Sequence, residues 1–134
     1  MLFLSSALFA QKDSLLTIKA EAYSVMLYEP DSQTWSDWSE WTALSSVIIK
    51  LDSKAYFITI SNDANDKFKI LKVLAVTEGV DEDGDGFENY SFNAVNKEGN
   101  LLDLRFKLFD SGVIHLYCEY PKIIYVYSGN RIEF

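Results

Sequence analysis

From Ser45 to Tyr127, short alternations of apolar and polar residues are separated again and again by compact clusters of Asn, Asp, Gly and Ser. Alternation with a period of two puts successive side chains on opposite faces of a strand, and turn residues at such close intervals bring the chain back beside itself. The pattern therefore predicts an antiparallel β meander. Its clearest strand is residues 102–108, where Leu102, Leu104, Phe106 and Leu108 alternate with Asp103, Arg105 and Lys107. Earlier, residues 15–28 read as one long or bulged strand, broken by Glu29, Pro30, Asp31 and Ser32 because proline cannot donate to a ladder. Residues 47–51 and 55–60 flank a short connection at Asp52, Ser53 and Lys54, with Tyr56, Ile58 and Ile60 on one face. Residues 68–76 begin as an alternation and end in the continuous run Val73, Leu74, Ala75 and Val76, which predicts burial on both faces or tight pairing. Residues 90–95, 113–120 and 123–127 complete the series. About eight strands with short connections favour an all-β, up-and-down antiparallel meander that forms a closed barrel or coiled sheet, since closure removes exposed edges. A two-sheet sandwich is the alternative.

At 134 residues the chain is read as one domain, residues 11–134, behind a leader-like segment at residues 1–10. Leu2, Phe3, Leu4, Ala7, Leu8, Phe9 and Ala10 surround small Ser5 and Ser6, and polar Gln11, Lys12 and Asp13 follow. That order resembles a truncated secretory signal peptide and predicts export to a periplasmic or extracellular compartment. A hydrophobic content of 49% and an aromatic content of 15% exclude a disordered chain. The formal net charge of -8 argues against nucleic acid as a partner, because only the alternating Lys67, Lys69 and Lys72 offer any basic cluster. An acidic surface also suits a soluble monomer. No segment from Gln11 onward has the roughly 18 apolar residues of a transmembrane helix. The single cysteine, Cys118, cannot form an internal disulfide and reads as a small core residue beside Leu116.

Two segments stand out from the meander. Trp35, Trp38 and Trp41 are spaced three apart between Thr34 and Thr42. The segment resembles the Trp-Ser-x-Trp-Ser motif of cytokine receptor domains and the tryptophan ladder of thrombospondin type 1 repeats. The several disulfides of the latter are absent here, and the sequence displays no arginine ladder of the former, so neither family is assigned. A spacing of three predicts a short, Trp-rich 3₁₀ or helical turn after the first strand that plugs the open end of the barrel. Alternatively the rings form a stacking platform for a sugar or another flat ligand. The second segment is Asp81, Asp83 and Asp85 followed by Gly86, which matches the opening of an EF-hand-like loop and makes Ca2+ a candidate cofactor. Phe92 stands where that loop requires its bidentate Glu, so a polar hairpin loop accounts for the same residues.

No catalytic residue is assigned. His115 is the only histidine, with Glu119 on the same strand face, and an outward pair of this kind is an ordinary surface feature. Asp103 and Glu119 also take outward parity, which leaves both carboxylates in water. No glycine-rich phosphate loop or nucleophile motif is present.

The leader-like start, about eight strands, the aromatic interruption after the first strand and the final Tyr-rich hairpin together resemble a small lipocalin-like or fatty-acid-binding-like barrel of the calycin type. The Gly-x-Trp motif that lipocalins carry near their first strand is absent. The resemblance implies an interior cavity for a small hydrophobic molecule, lined by Tyr56, Ile58, Phe68, Leu104, Phe106 and Leu116, with Trp35, Trp38 and Trp41 near its opening. The same residues describe a filled core, the reading that so small a barrel favours. Two functions follow as expectations: a non-catalytic binding protein for a small hydrophobic ligand, or an interaction module whose outward aromatics, among them Tyr117, Tyr125 and Tyr127, meet a protein or glycan.

Overall fold

The computed structural model describes residues 15–52, 54–62 and 65–132, so the leader-like residues 1–10 lie outside the described residues. Nine strands are present among them: β1 Leu15–Glu29, β2 Thr34–Trp35, β3 Thr42–Asp52, β4 Phe57–Ile60, β5 Asp66–Val80, β6 Gly86–Asn96, β7 Leu101–Phe109, β8 Val113–Glu119 and β9 Ile123–Arg131. Every neighbouring pair is antiparallel, from β1–β3 through to β8–β9. The β1–β9 pairing closes an eight-stranded barrel, with β2 attached to the outer end of β1.

Closure works because β1 is long enough to serve two neighbours. Its residues Leu15 to Tyr23 pair with β3, while Ile18 to Leu27 pair with β9. A register shift between Ala20 and Ala22 lets the strand bend between them. At that bend Gly129 of β9 lies against the β1 backbone, and a Cβ on Gly129 would overlap the Lys19 carbonyl oxygen. Only a residue without a side chain allows this approach.

The interior is packed. Ile18, Ile49, Leu51, Ile58, Leu104 and Leu116 are fully buried, and Phe92 meets Phe106 edge-to-face at 6.2 Å between ring centroids. The β7 alternation points Leu102, Leu104 and Phe106 inward, as the sequence pattern predicts. Tyr90 is also buried inside, where its hydroxyl donates to Glu88 Oε2 at 2.7 Å and so satisfies a phenol that would be costly to leave unpaired.

Three expectations are corrected. The apolar run Val73 to Val76 is not buried on both faces: β4 pairs only with Asp66–Lys69, so β5 continues past it as a strand paired on one side among the described residues. Leu71, Val73 and Leu74 are exposed there, and register shifts near Leu71 and Leu74 distort the ladder to β6. Tyr56 does not share the inner face of Ile58 and Ile60, because it sits in the β3–β4 turn with φ 58° and is exposed. The tryptophan segment forms no helical turn and plugs no end of the barrel. Residues 36–41 run outside regular secondary structure along the part of β1 that β3 leaves unpaired.

Serines hold that segment in place. The Ser36 N–H donates to the Leu27 carbonyl and the Ser39 N–H to the Val25 carbonyl, while Ser36 Oγ and Ser39 Oγ accept from the Leu27 and Val25 N–H groups at 2.9 Å. Thr42 then takes its place opposite Tyr23. Three residues of the segment thus match two of the strand at each step, which brings each tryptophan to the same side just before the anchoring residue. The spacing of three has a backbone cause other than a helix.

Candidate functional site

At the end of the barrel formed by the β4–β5 and β8–β9 connections, the packed interior opens into a cavity of about 680 Å³. Its floor is the upper edge of the core, with Ile60, Phe68 and Cys118. Its walls are Tyr125 and Tyr127 from β9 and Tyr120 from the end of β8, and its rim carries Asn62, Asp66 and Lys122. The β8–β9 register explains this placement: Cys118 lies opposite Tyr125 and Leu116 opposite Tyr127, so inward parity on β8 imposes inward parity on both tyrosines. Across the closing pair, Tyr23 faces Tyr127 with centroids 6.4 Å apart.

Polar groups hold the tyrosines of this largely aromatic space. Asn62 Nδ2 donates to Asp66 Oδ2 at 2.9 Å and to the Tyr127 hydroxyl at 3.4 Å, and Asn96 Nδ2 donates to the Tyr120 hydroxyl at 3.3 Å. Both phenols therefore accept from an amide and retain their own protons for donation. Tyr120 and Tyr125 stand nearly perpendicular, at 89° with centroids 6.5 Å apart, and form a corner. Burial pushes the Tyr127 phenol up to about 12, with the Asn62 hydrogen bond pulling it partly back and nearby groups including Asp66 adding to the rise. Burial raises Tyr120 for the same reason. Cys118 is buried and its thiol is driven well above its ordinary range by burial first and Asp66 next, so it stays protonated. Among the described residues no histidine lines the cavity, and none there constitutes a nucleophile with its base. The arrangement suits binding, with apolar walls and a few placed polar groups.

The residues expected to line a ligand cavity are dispersed. Ile58, Leu104, Phe106 and Leu116 are fully buried in the packed core, and of the expected lining residues Phe68 alone reaches the mouth cavity, while Tyr56 points to solvent. Tyr125 and Tyr127, expected outside, face in. The missed signal was register: counting back from Cys118 through the tight Tyr120–Ile123 turn would have set their face.

Trp35, Trp38 and Trp41 lie on the outer wall. Trp35 packs edge-on against Tyr28 at 5.5 Å and borders a separate groove of about 700 Å³ with Leu71, Leu101 and Ile124. Trp38 packs against Tyr117 at 6.2 Å and Trp41 against His115 at 5.7 Å. Cations complete the layer: the Arg105 guanidinium lies 4.3 Å over the Tyr117 ring and bonds Glu119 at 3.2 Å, while Lys107 Nζ lies 4.4 Å over Phe87. A short cation–aromatic stack thus forms with Arg105 and Lys107 supplied by the polar face of β7, which alternation alone marks only as solvent-facing. Glu119 is engaged by Arg105, and His115 is held by Trp41, Phe109 and a 3.5 Å contact to the Tyr117 hydroxyl, so the two are not built as a dyad. Burial, then the neighbouring Lys107 charge, lowers the His115 pKa.

The Asp81–Asp85 loop closes on itself. Asp81 Oδ1 accepts from the Asp83 and Asp85 N–H groups at 3.0 and 2.8 Å, and Gly84 takes φ 83° at the turn. Among the described residues no group of three or more His, Cys, Asp or Glu side chains could hold a metal ion, so the three carboxylates are not gathered around a common point. No helix among the described residues is long and apolar enough to cross a membrane. No protein-family model, curated protein or solved structure matches the chain, so the reading of its site rests on the geometry of the mouth and of the outer aromatic layer.

Proposed function

We propose that the protein is an exported, non-catalytic binding protein that takes a small, largely apolar molecule into the mouth of its barrel. The observation that carries this reading is the cavity of about 680 Å³, a size in the range of small-molecule sites, walled by three tyrosines over an apolar floor. The ligand sits at the opening rather than in the interior, which Phe92, Phe106 and Leu104 fill. A titration with an environment-sensitive apolar dye, followed by native mass spectrometry of the purified protein, tests it. One dye per chain is expected in the wild type and none in Ile123→Trp, because Ile123 lines the cavity next to Lys122 and a larger ring there fills the mouth. Absence of uptake in the wild type, or uptake untouched by Ile123→Trp, would count against the site.

A second reading is favoured by a different observation. Trp38 and Trp41 remain 41% and 52% exposed although they are held in a fixed stack, which suits a surface that a protein or glycan covers. Its signature is a blue shift and quenching of tryptophan emission by a soluble oligosaccharide, retained in Ile123→Trp.

A further inference from the structure

We propose that the mouth cavity selects an organic cation, an ammonium group carried on an apolar body, with Asp66 as its counter-ion and the Tyr120, Tyr125 and Tyr127 rings as its walls. This rests on reading the mouth as a ligand site and names the class of ligand. Aromatic faces carry negative charge in their π clouds, and rings set at an angle around one point attract a cation from several sides. Tyr120 and Tyr125 provide such a corner at 89°, and Tyr127 stands beside Tyr125 on the same inner face of β9.

Asp66 supplies the formal charge. It is half-buried, at the start of β5, and Asn62 occupies its Oδ2 at 2.9 Å, which fixes the carboxylate. Its Oδ1 takes no hydrogen bond among the described residues. The field it casts is felt inside the cavity, where it disfavours ionisation of Cys118, Tyr120 and Tyr127, and among the described residues no lysine or arginine offsets it at any of the three. Lys122, the cation on the rim, is exposed on the β8–β9 turn. A cation entering the mouth therefore meets an unshared carboxylate oxygen and aromatic walls, while an anion that the phenol hydroxyls could serve meets the charge of Asp66 and the ring faces as repulsion.

The test compares octyltrimethylammonium, octanol and octyl sulfate, all below micelle formation, by calorimetric titration of the full chain. The expected order is the ammonium tightest, by about tenfold over octanol, with octyl sulfate weakest, and the preference shrinks as salt is raised. Asp66→Asn is expected to bring the ammonium down to the octanol affinity, and Tyr125→Leu to weaken the ammonium more than the alcohol, with circular dichroism showing both variants folded. Equal affinity for ammonium and octanol would overturn the charge selectivity while leaving the mouth as an apolar site. Tightest binding of octyl sulfate would overturn it in favour of Lys122. Binding of none of the three would overturn the ligand-site reading itself.

Discussion

The barrel interior and its mouth are built from the same residue types and end in opposite states. In the interior, Tyr90 is fully buried, its hydroxyl is tied to Glu88 at 2.7 Å, and Phe92 and Phe106 close the space around it. At the mouth, Tyr120 and Tyr127 hold longer bonds to Asn96 and Asn62, at 3.3 and 3.4 Å, and face a cavity. An inward tyrosine is thus a core residue or a cavity-facing one according to what stands opposite. Strands supply opposing apolar residues in the first case. In the second, among the described residues, the connections near Asn62 and Pro121 stand at the opening.

The contrast is broken most severely from inside. Phe106→Ala is expected to cost about 3–5 kcal/mol, because a fully buried ring leaves a void that closed strands cannot collapse into. Urea denaturation measures it, and a loss under about 1 kcal/mol would show that the interior is not the packed region. Gly129→Ala comes next, at on the order of 3 kcal/mol, since the new Cβ meets the Lys19 carbonyl and separates β9 from β1. Gly84→Ala serves as its control: that site is open, and only its φ of 83° opposes a side chain, at about 1 kcal/mol.

Outside the barrel the effects shrink. Ser39→Ala removes the acceptor for the Val25 N–H and a contact to Ser24, for about 1 kcal/mol, and should raise solvent quenching of tryptophan emission as the Trp38 layer loosens. The same layer has an acid limb. His115 is held neutral below its ordinary value, so the unfolded chain binds its proton first, and stability is fully present above about 6.5 and falls as pH drops below that value. His115→Gln should flatten that slope in thermal melts.

Tyr127→Phe is the smallest change at neutral pH, under about 1 kcal/mol, because its hydroxyl makes one long hydrogen bond. It sharpens the comparison in alkali. The folded phenol rises from 10.0 to about 12, so the unfolded chain loses its proton first and stability declines as pH climbs between those values. The phenylalanine variant should decline less over that interval in urea titrations followed by circular dichroism. Equal slopes would mean that Tyr127 is as solvated as an unfolded tyrosine.

Much of the fold was legible from period and punctuation. The alternation at Leu102 to Leu108, the turns at Asn96–Asn100 and Asp110–Gly112, and the bulged first strand each predict what the barrel contains. Local pattern failed where a neighbour decided the outcome. Val73 to Val76 look doubly buried because they are continuously apolar, yet exposure depends on where β4 stops. Tyr56 shares parity with Ile58, but one residue with φ 58° turns it out.

The amino-acid sequence alone determined that this chain makes antiparallel strands, which residues of its clearest strand face inward, and that its lone cysteine is a buried core residue. Those properties follow from side-chain alternation and turn chemistry, which act over a few residues. Only the tertiary structure decided that β1 closes on β9, that Tyr120, Tyr125 and Tyr127 converge on one cavity with Asp66, and that the tryptophans line the outer wall. Each of these depends on register between strands far apart in the chain, and a slip of one residue would send every such side chain to the other face.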